Sequence, residues 1–113
     1  MKLNQAAFKQ AKSLIDDGKV VKDSDWSEKQ PSSDDENKFL DDKDWDTYGK
    51  WFLALDTDEN DDTKGHFNFP YGDFKKVHRS AVIAAKQRAG QYDYKDIEDA
   101  ADELLEKIDG DSK

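Results

Sequence analysis

The chain contains no cysteine, which excludes a disulfide staple, a thiolate nucleophile and a zinc–thiolate site. Histidine is scarce: imidazole chemistry is limited to His66 and His78. Only two residues are proline, so little of the backbone is stiffened or broken by rings. No apolar run approaches the ~20 residues that a membrane helix needs. The opening stretch MKLNQAAFKQAKSL lacks the apolar core of a secretory signal, and a cytoplasmic protein is expected. At 113 residues, the chain fits one domain spanning 1–113 and is too short for a barrel enzyme or a full doubly wound nucleotide fold. Its last few residues are expected to be disordered.

What is abundant is charge. The chain holds 27 acids against 18 bases, a net charge of −9 that argues against general nucleic-acid binding and against anionic membranes. Aspartate dominates the acids, and aspartate caps helices and forms turns better than it fills helix interiors. The sign varies along the chain: residues 1–30 carry +1, 31–62 carry −9, 63–95 carry +5 and 96–113 carry −6. The third block is a basic island in an acidic protein.

Hydrophobic periodicity predicts an amino-terminal helix over 5–17, with Asn4 as N-cap, Leu3 and Phe8 as a hydrophobic staple, and Gly18 as a left-handed end. Val20 and Val21 suggest a short extended segment. Residues 22–33 read as loop. Ser33 and Glu36 match a capping box for a helix over 34–42. Trp51, Leu53 and Leu55 alternate with Phe52 and Ala54, predicting a strand over 48–56. The residues His66 to Phe69 predict a second strand, so the two form an antiparallel hairpin, with Val20–Val21 as the visible third-strand candidate. A helix from Asp73 to Ala89, striped by Phe74, Val77, His78, Ala81, Val82, Ala85 and Ala89, is followed by one over 94–109. The expected fold is α+β: a small antiparallel β-hairpin or three-stranded sheet packed on a carboxy-terminal helical hairpin, plus the amino-terminal helix.

Opposite charges on the last two helices predict pairing along their seam, with Lys75, Lys76, Arg79, Lys86 and Arg88 facing an acidic final helix. Arg88 is expected to be the base most engaged with an acid. The run from Asp56 to Asp62 opens like a calcium loop, with Asp56, Asp58, Asn60 and Asp62 as candidate oxygen ligands. It then departs from that pattern: Asp61 stands where glycine belongs and Phe67 where the bidentate glutamate belongs. A solvated hairpin loop is the favoured reading, with weak divalent-cation binding as its alternative. On a strand beside Phe67, His66 is expected to face solvent. His78 lies at a stripe edge and is expected to be a boundary residue with one hydrogen bond; a catalytic base or metal site using the histidines with Asp73 nearby is the disfavoured alternative. Ser80 has no adjacent histidine–acid pattern, and the glycines form no phosphate loop. No catalytic residue and no cofactor is assigned, and the chain is read as a non-enzyme.

Two stretches carry a resemblance. They are Tyr48-Gly-Lys-Trp-Phe-Leu-Ala-Leu-Asp and the segment that opens Phe69-Pro-Tyr-Gly-Asp-Phe-Lys-Lys-Val-His-Arg-Ser and runs to Gln91. The chain resembles a family of small uncharacterised bacterial proteins. Its carboxy-terminal part is similar to a module in some tailed-phage proteins of the head-gene region. The resemblance implies no activity and carries over no functional residue. It implies His at position 52, where this chain has Phe52. From the residues themselves, a protein-interaction or structural domain is expected, monomeric or weakly dimeric, with an unknown protein partner contacting Tyr71, Lys75, Lys76, Arg79 and Lys86. Tyr71, Tyr92 and Tyr94 border loops and are the expected surface aromatics. Nucleic-acid contact through the basic helix 74–89 is the alternative, recognisable by a steep loss of binding with salt.

Overall fold

A computed structural model describes residues 1–110, and the expectation of a disordered end falls on 111–113, outside the described residues. The order of elements is β1 (Lys2–Leu3), α1 (Gln5–Asp16), β2 (Val20–Val21), α2 (Trp26–Lys29), α3 (Ser33–Asp42), α4 (Trp45–Gly49), β3 (Phe52–Leu55), a 3₁₀ turn (Lys64–His66), β4 (Phe67–Pro70), β5 (Val77–His78), α5 (Arg79–Gln91) and α6 (Lys95–Gly110). The α+β expectation holds: a three-stranded antiparallel sheet packs with a carboxy-terminal helical hairpin, α5 on α6. No helix among the described residues is long and apolar enough to cross a membrane.

β3 is the central strand, between β1 and β4. Its pairing with β4 sets Phe52 opposite Pro70 and Ala54 opposite Asn68. Phe52, Leu53 and Ala54 are all buried, so the alternation read in the sequence does not separate a wet face from a dry one. The core runs from Ala7, Ala11 and Ile15 of α1, through β3, to Val82, Ala85 and Ala89 of α5 and Ile97, Leu104 and Ile108 of α6. Small alanines on α5 let α6 approach closely. Asn4 ties α1 to this sheet. Its side-chain oxygen accepts from the Ala7 amide at 3.4 Å, while its Nδ2 donates to the carbonyls of Gly49 (2.9 Å) and Phe52 (3.1 Å).

Several expectations are corrected. The third strand is Lys2–Leu3, antiparallel to β3, and not Val20–Val21. Val20–Val21 instead pairs in parallel with β5 as a separate two-stranded sheet. Two-residue strands carry no periodicity of their own, so tertiary contacts decide them. The 48–56 strand begins only at Phe52, because Asp44 accepts from the Thr47 amide at 2.8 Å and caps a helical turn over Trp45–Gly49. Asp25 caps another turn, Trp26–Lys29, inside the expected loop. The capping box lies one residue earlier than read: Ser32 and Asp35 satisfy each other's amides at 3.1 Å in both directions. The helix expected from Asp73 starts at Arg79. Phe74 sits at φ 70, a left-handed conformation that no helix interior admits. Gly72 permits the tight turn, since a Cβ there would collide with the Lys76 carbonyl and the Trp51 ring.

Candidate functional site

The basic island resolves into two populations. Arg79 donates from Nε and Nη2 to the two carboxylate oxygens of Asp109, at 2.9 and 3.2 Å, and Lys86 donates to Asp102 at 2.7 Å. Both pairs cross the α5–α6 seam, as the charge pattern predicted. The hydrogen bond from Arg79 holds the Asp109 carboxyl below its ordinary value, and the bond to Asp102 pushes the Lys86 ammonium above its own. Lys75 and Lys76 stand not on a helix but on the turn after Asp73, with exposed side chains. Arg88 reverses its expectation: it is exposed, and among the described residues Arg88, Lys75 and Lys76 make no ion pair.

Tyr71 does not lie on a surface. It is fully buried, stacks on Trp51 at 5.5 Å, and its hydroxyl donates to the Lys50 carbonyl at 2.6 Å while accepting from Gln10 at 3.1 Å. Burial raises its phenol above the ordinary value, against the opposing hydrogen bond from Gln10. Tyr92 is the exposed tyrosine, at 57 %.

His66 is likewise buried, not solvent-facing: its Nδ1–H donates to the Asp56 carbonyl at 2.7 Å. That bond folds the acidic loop onto the sheet. Two of its four candidate cation ligands, Asp56 and Asn60, brace the loop's own turns. Asp56 Oδ1 accepts from the Asp58 amide at 3.1 Å, and Asn60 Oδ1 accepts from the Asp62 amide at 3.0 Å. Among the described residues, no group of three or more His, Cys, Asp or Glu side chains converges as a metal set, so Asp56, Asp58, Asn60 and Asp62 are not brought together.

His78 anchors a polar chain that runs through the interior. Its ring is 2 % exposed. An ionised carboxylate only accepts, so Nε2–H donates to Asp73 Oδ2 at 2.8 Å, and Nδ1 is hydrogen-bonded to the Ser24 hydroxyl at 2.7 Å. Ser24 lies 3.0 Å from the Ser80 hydroxyl. Asp73 Oδ1 also accepts from the Lys75 and Lys76 amides at 3.0 and 2.8 Å. Burial works to raise the Asp73 carboxyl, but the bonds from His78, Lys76 and Lys75 outweigh it and hold it below its ordinary value. The series Ser24–His78–Asp73 contains the groups that activate a serine nucleophile. Here the ring is enclosed, and none of the three side chains lines the cleft described next. The chain's structural effect is to pin residues 24–26 to the start of α5. Trp26 then packs on the His78 ring at 5.3 Å. The Asp73–His78 pairing is visible in the sequence spacing. Ser24 is far away in the chain, and no local pattern marks it.

Beside Trp26 opens a cleft of about 320 Å³ between the α2–α3 connection, β4, the Gly72–Phe74 turn and α5. Trp26, Pro31, Phe69 and Phe74 give it apolar walls, with Ala84 and Arg88 along the α5 side. β4 is an edge strand, and all four of its residues line the cleft. Among the described residues three non-glycine residues have positive φ, and two of them, Phe69 (φ 64) and Phe74 (φ 70), are both in this cleft. Left-handed phenylalanine costs about 1–3 kcal/mol and persists only where packing over-determines it. Phe39 supplies that packing for Phe74, stacked at 4.4 Å. The one carboxylate on the lining, Glu36, is held by Lys64 at 3.3 Å. The sequence reading missed the cleft because its walls come from four separate segments.

Comparison of the chain with protein-family models, with curated proteins and with solved structures found no match, so the resemblance to small bacterial proteins and to a phage head-region module stays an expectation.

Proposed function

We propose that the protein is a non-enzymatic, cytoplasmic interaction domain and that the cleft beside Trp26 is where a partner protein docks. The observation that carries this reading is the pair of strained phenylalanines, Phe69 and Phe74, that line one open, aromatic-walled cleft. Strain retained at a surface hollow is a mark of a site shaped for contact. A volume of about 320 Å³ lies at the small end of the ~300–1,000 Å³ range of ligand cavities, and suits one large anchoring side chain better than a whole cofactor. Aromatic walls with an arginine at the rim are also the composition that dominates binding energy at protein contacts. This moves the expected contact surface from Tyr71, which is interior, to the opposite side of the same turn.

Ala84 is exposed on α5 at the cleft wall, so Ala84→Trp fills the hollow without entering the core. A random peptide library panned against the protein is expected to enrich sequences that the Ala84→Trp variant does not retain. Failure to enrich, or enrichment indifferent to the substitution, would contradict the reading.

A further inference from the structure

We infer that the segment this cleft takes is acidic: one aromatic or large apolar side chain in the hollow, with an aspartate or glutamate beside it on Arg88. The inference rests on the cleft being the docking site and adds the charge of its partner. Arg88 lines the cleft, is exposed, and has no ion-pair partner among the described residues. That distinguishes it from Arg79 and Lys86 on the same helix, which α6 already holds through Asp109 and Asp102. The guanidinium therefore presents a planar set of donors to the cleft, a geometry that matches a carboxylate in two-point contact.

The opposite wall does not cancel it. Glu36 is the acid on the lining, and Lys64 occupies it at 3.3 Å. Two further cations, Lys75 and Lys76, follow the cleft residue Phe74 in the chain and are exposed without ion pairs among the described residues. Of the two charged side chains on the lining, Arg88 is thus the one without an ion pair among the described residues, although the whole chain carries −9. At ordinary ionic strength the screening length is about 8 Å, so a carboxylate seated against Arg88 feels that guanidinium more than the net charge of the whole chain. A polypeptide is favoured over a small carboxylate because an aromatic hollow and a cation lie side by side on the lining, two contacts that neighbouring side chains of one segment fill together.

The test uses the full chain and three labelled peptides that share a central tryptophan in a glycine–serine framework, flanked by aspartates, asparagines or lysines. Binding is read by fluorescence anisotropy against the parent protein, Arg88→Glu and Ala84→Trp, with thermal unfolding confirming that each variant is folded. The aspartate peptide is expected to bind the parent at least about tenfold more tightly than the lysine peptide, the factor that one charge-assisted hydrogen bond supplies. Arg88→Glu is expected to reverse that order, and Ala84→Trp to weaken all three. Equal binding of the three peptides, still lost in Ala84→Trp, would overturn the acidic partner and leave the docking site standing. Tighter binding of the lysine peptide would overturn the acidic partner as well. No binding by any peptide would overturn both.

Discussion

Asp73 serves three donors at once: the His78 ring through one oxygen and the Lys75 and Lys76 amides through the other. It is the residue on which the cleft's near wall depends, because it fixes both the turn that carries Phe74 and the histidine beneath Trp26. Its depressed folded-state pKa gives the expected pH behaviour a definite sign. Such a carboxylate contributes stability that is fully present above its unfolded value, near pH ~4, and is lost as pH falls through its folded value. Asp73→Ala is expected to cost about 1–3 kcal/mol at pH 7, since it leaves the buried His78 N–H without an acceptor. Urea unfolding of the parent and the variant at pH 7 and pH 3 checks this. The gap between the two should narrow at pH 3, and an equal gap at both would contradict the role given to Asp73. The residue scale also shows where charge reasoning succeeded and failed. Arg79 and Lys86 met the acids their helix spacing implied. Arg88 did not, since spacing gives its position around α5 but not that its neighbours there are aromatic walls.

Among the elements, those long enough to show a full apolar stripe were legible. α1 and α6 fall within about one residue of their expected bounds, and the β3–β4 hairpin is present. α5 was read as starting at Asp73 because Phe74 and Val77 happen to continue its spacing, and periodicity cannot register a left-handed backbone at Phe74. β1 and β2 have two residues each, and only β3 and β5 give them partners. The turns α2 and α4 were written in their caps, Asp25 and Asp44, more than in their apolar residues. The helical hairpin supplies much of the core, and Leu104 is fully buried within it. Leu104→Ala is expected to destabilise by about 2–5 kcal/mol, the loss of transfer energy plus a cavity. Denaturant unfolding measures it, and a change below about 1 kcal/mol would show that α6 contributes less to the core than its burial implies.

Over the whole molecule, the net charge of −9 hides a division of labour. Acidic α6 neutralises part of basic α5 across their seam, and the acidic loop after β3 is held by its own turns and by the bond from His66 to the Asp56 carbonyl. The fold also leaves a small aromatic-walled cleft, assembled from segments between Trp26 and Arg88, where Arg88 makes no ion pair among the described residues. No single stretch of sequence contains it, whereas composition and motif reading pointed to the turn around Tyr71, whose side chain is interior. The central claim, that partners dock there, is tested most directly by mapping amide chemical shifts while the aspartate-flanked tryptophan peptide is titrated into the full chain. Docking in the cleft concentrates the shifts at Trp26, Phe69, Phe74, Ala84 and Arg88. Shifts gathered on α6 or on the 56–62 loop, with those five residues unmoved, would contradict it.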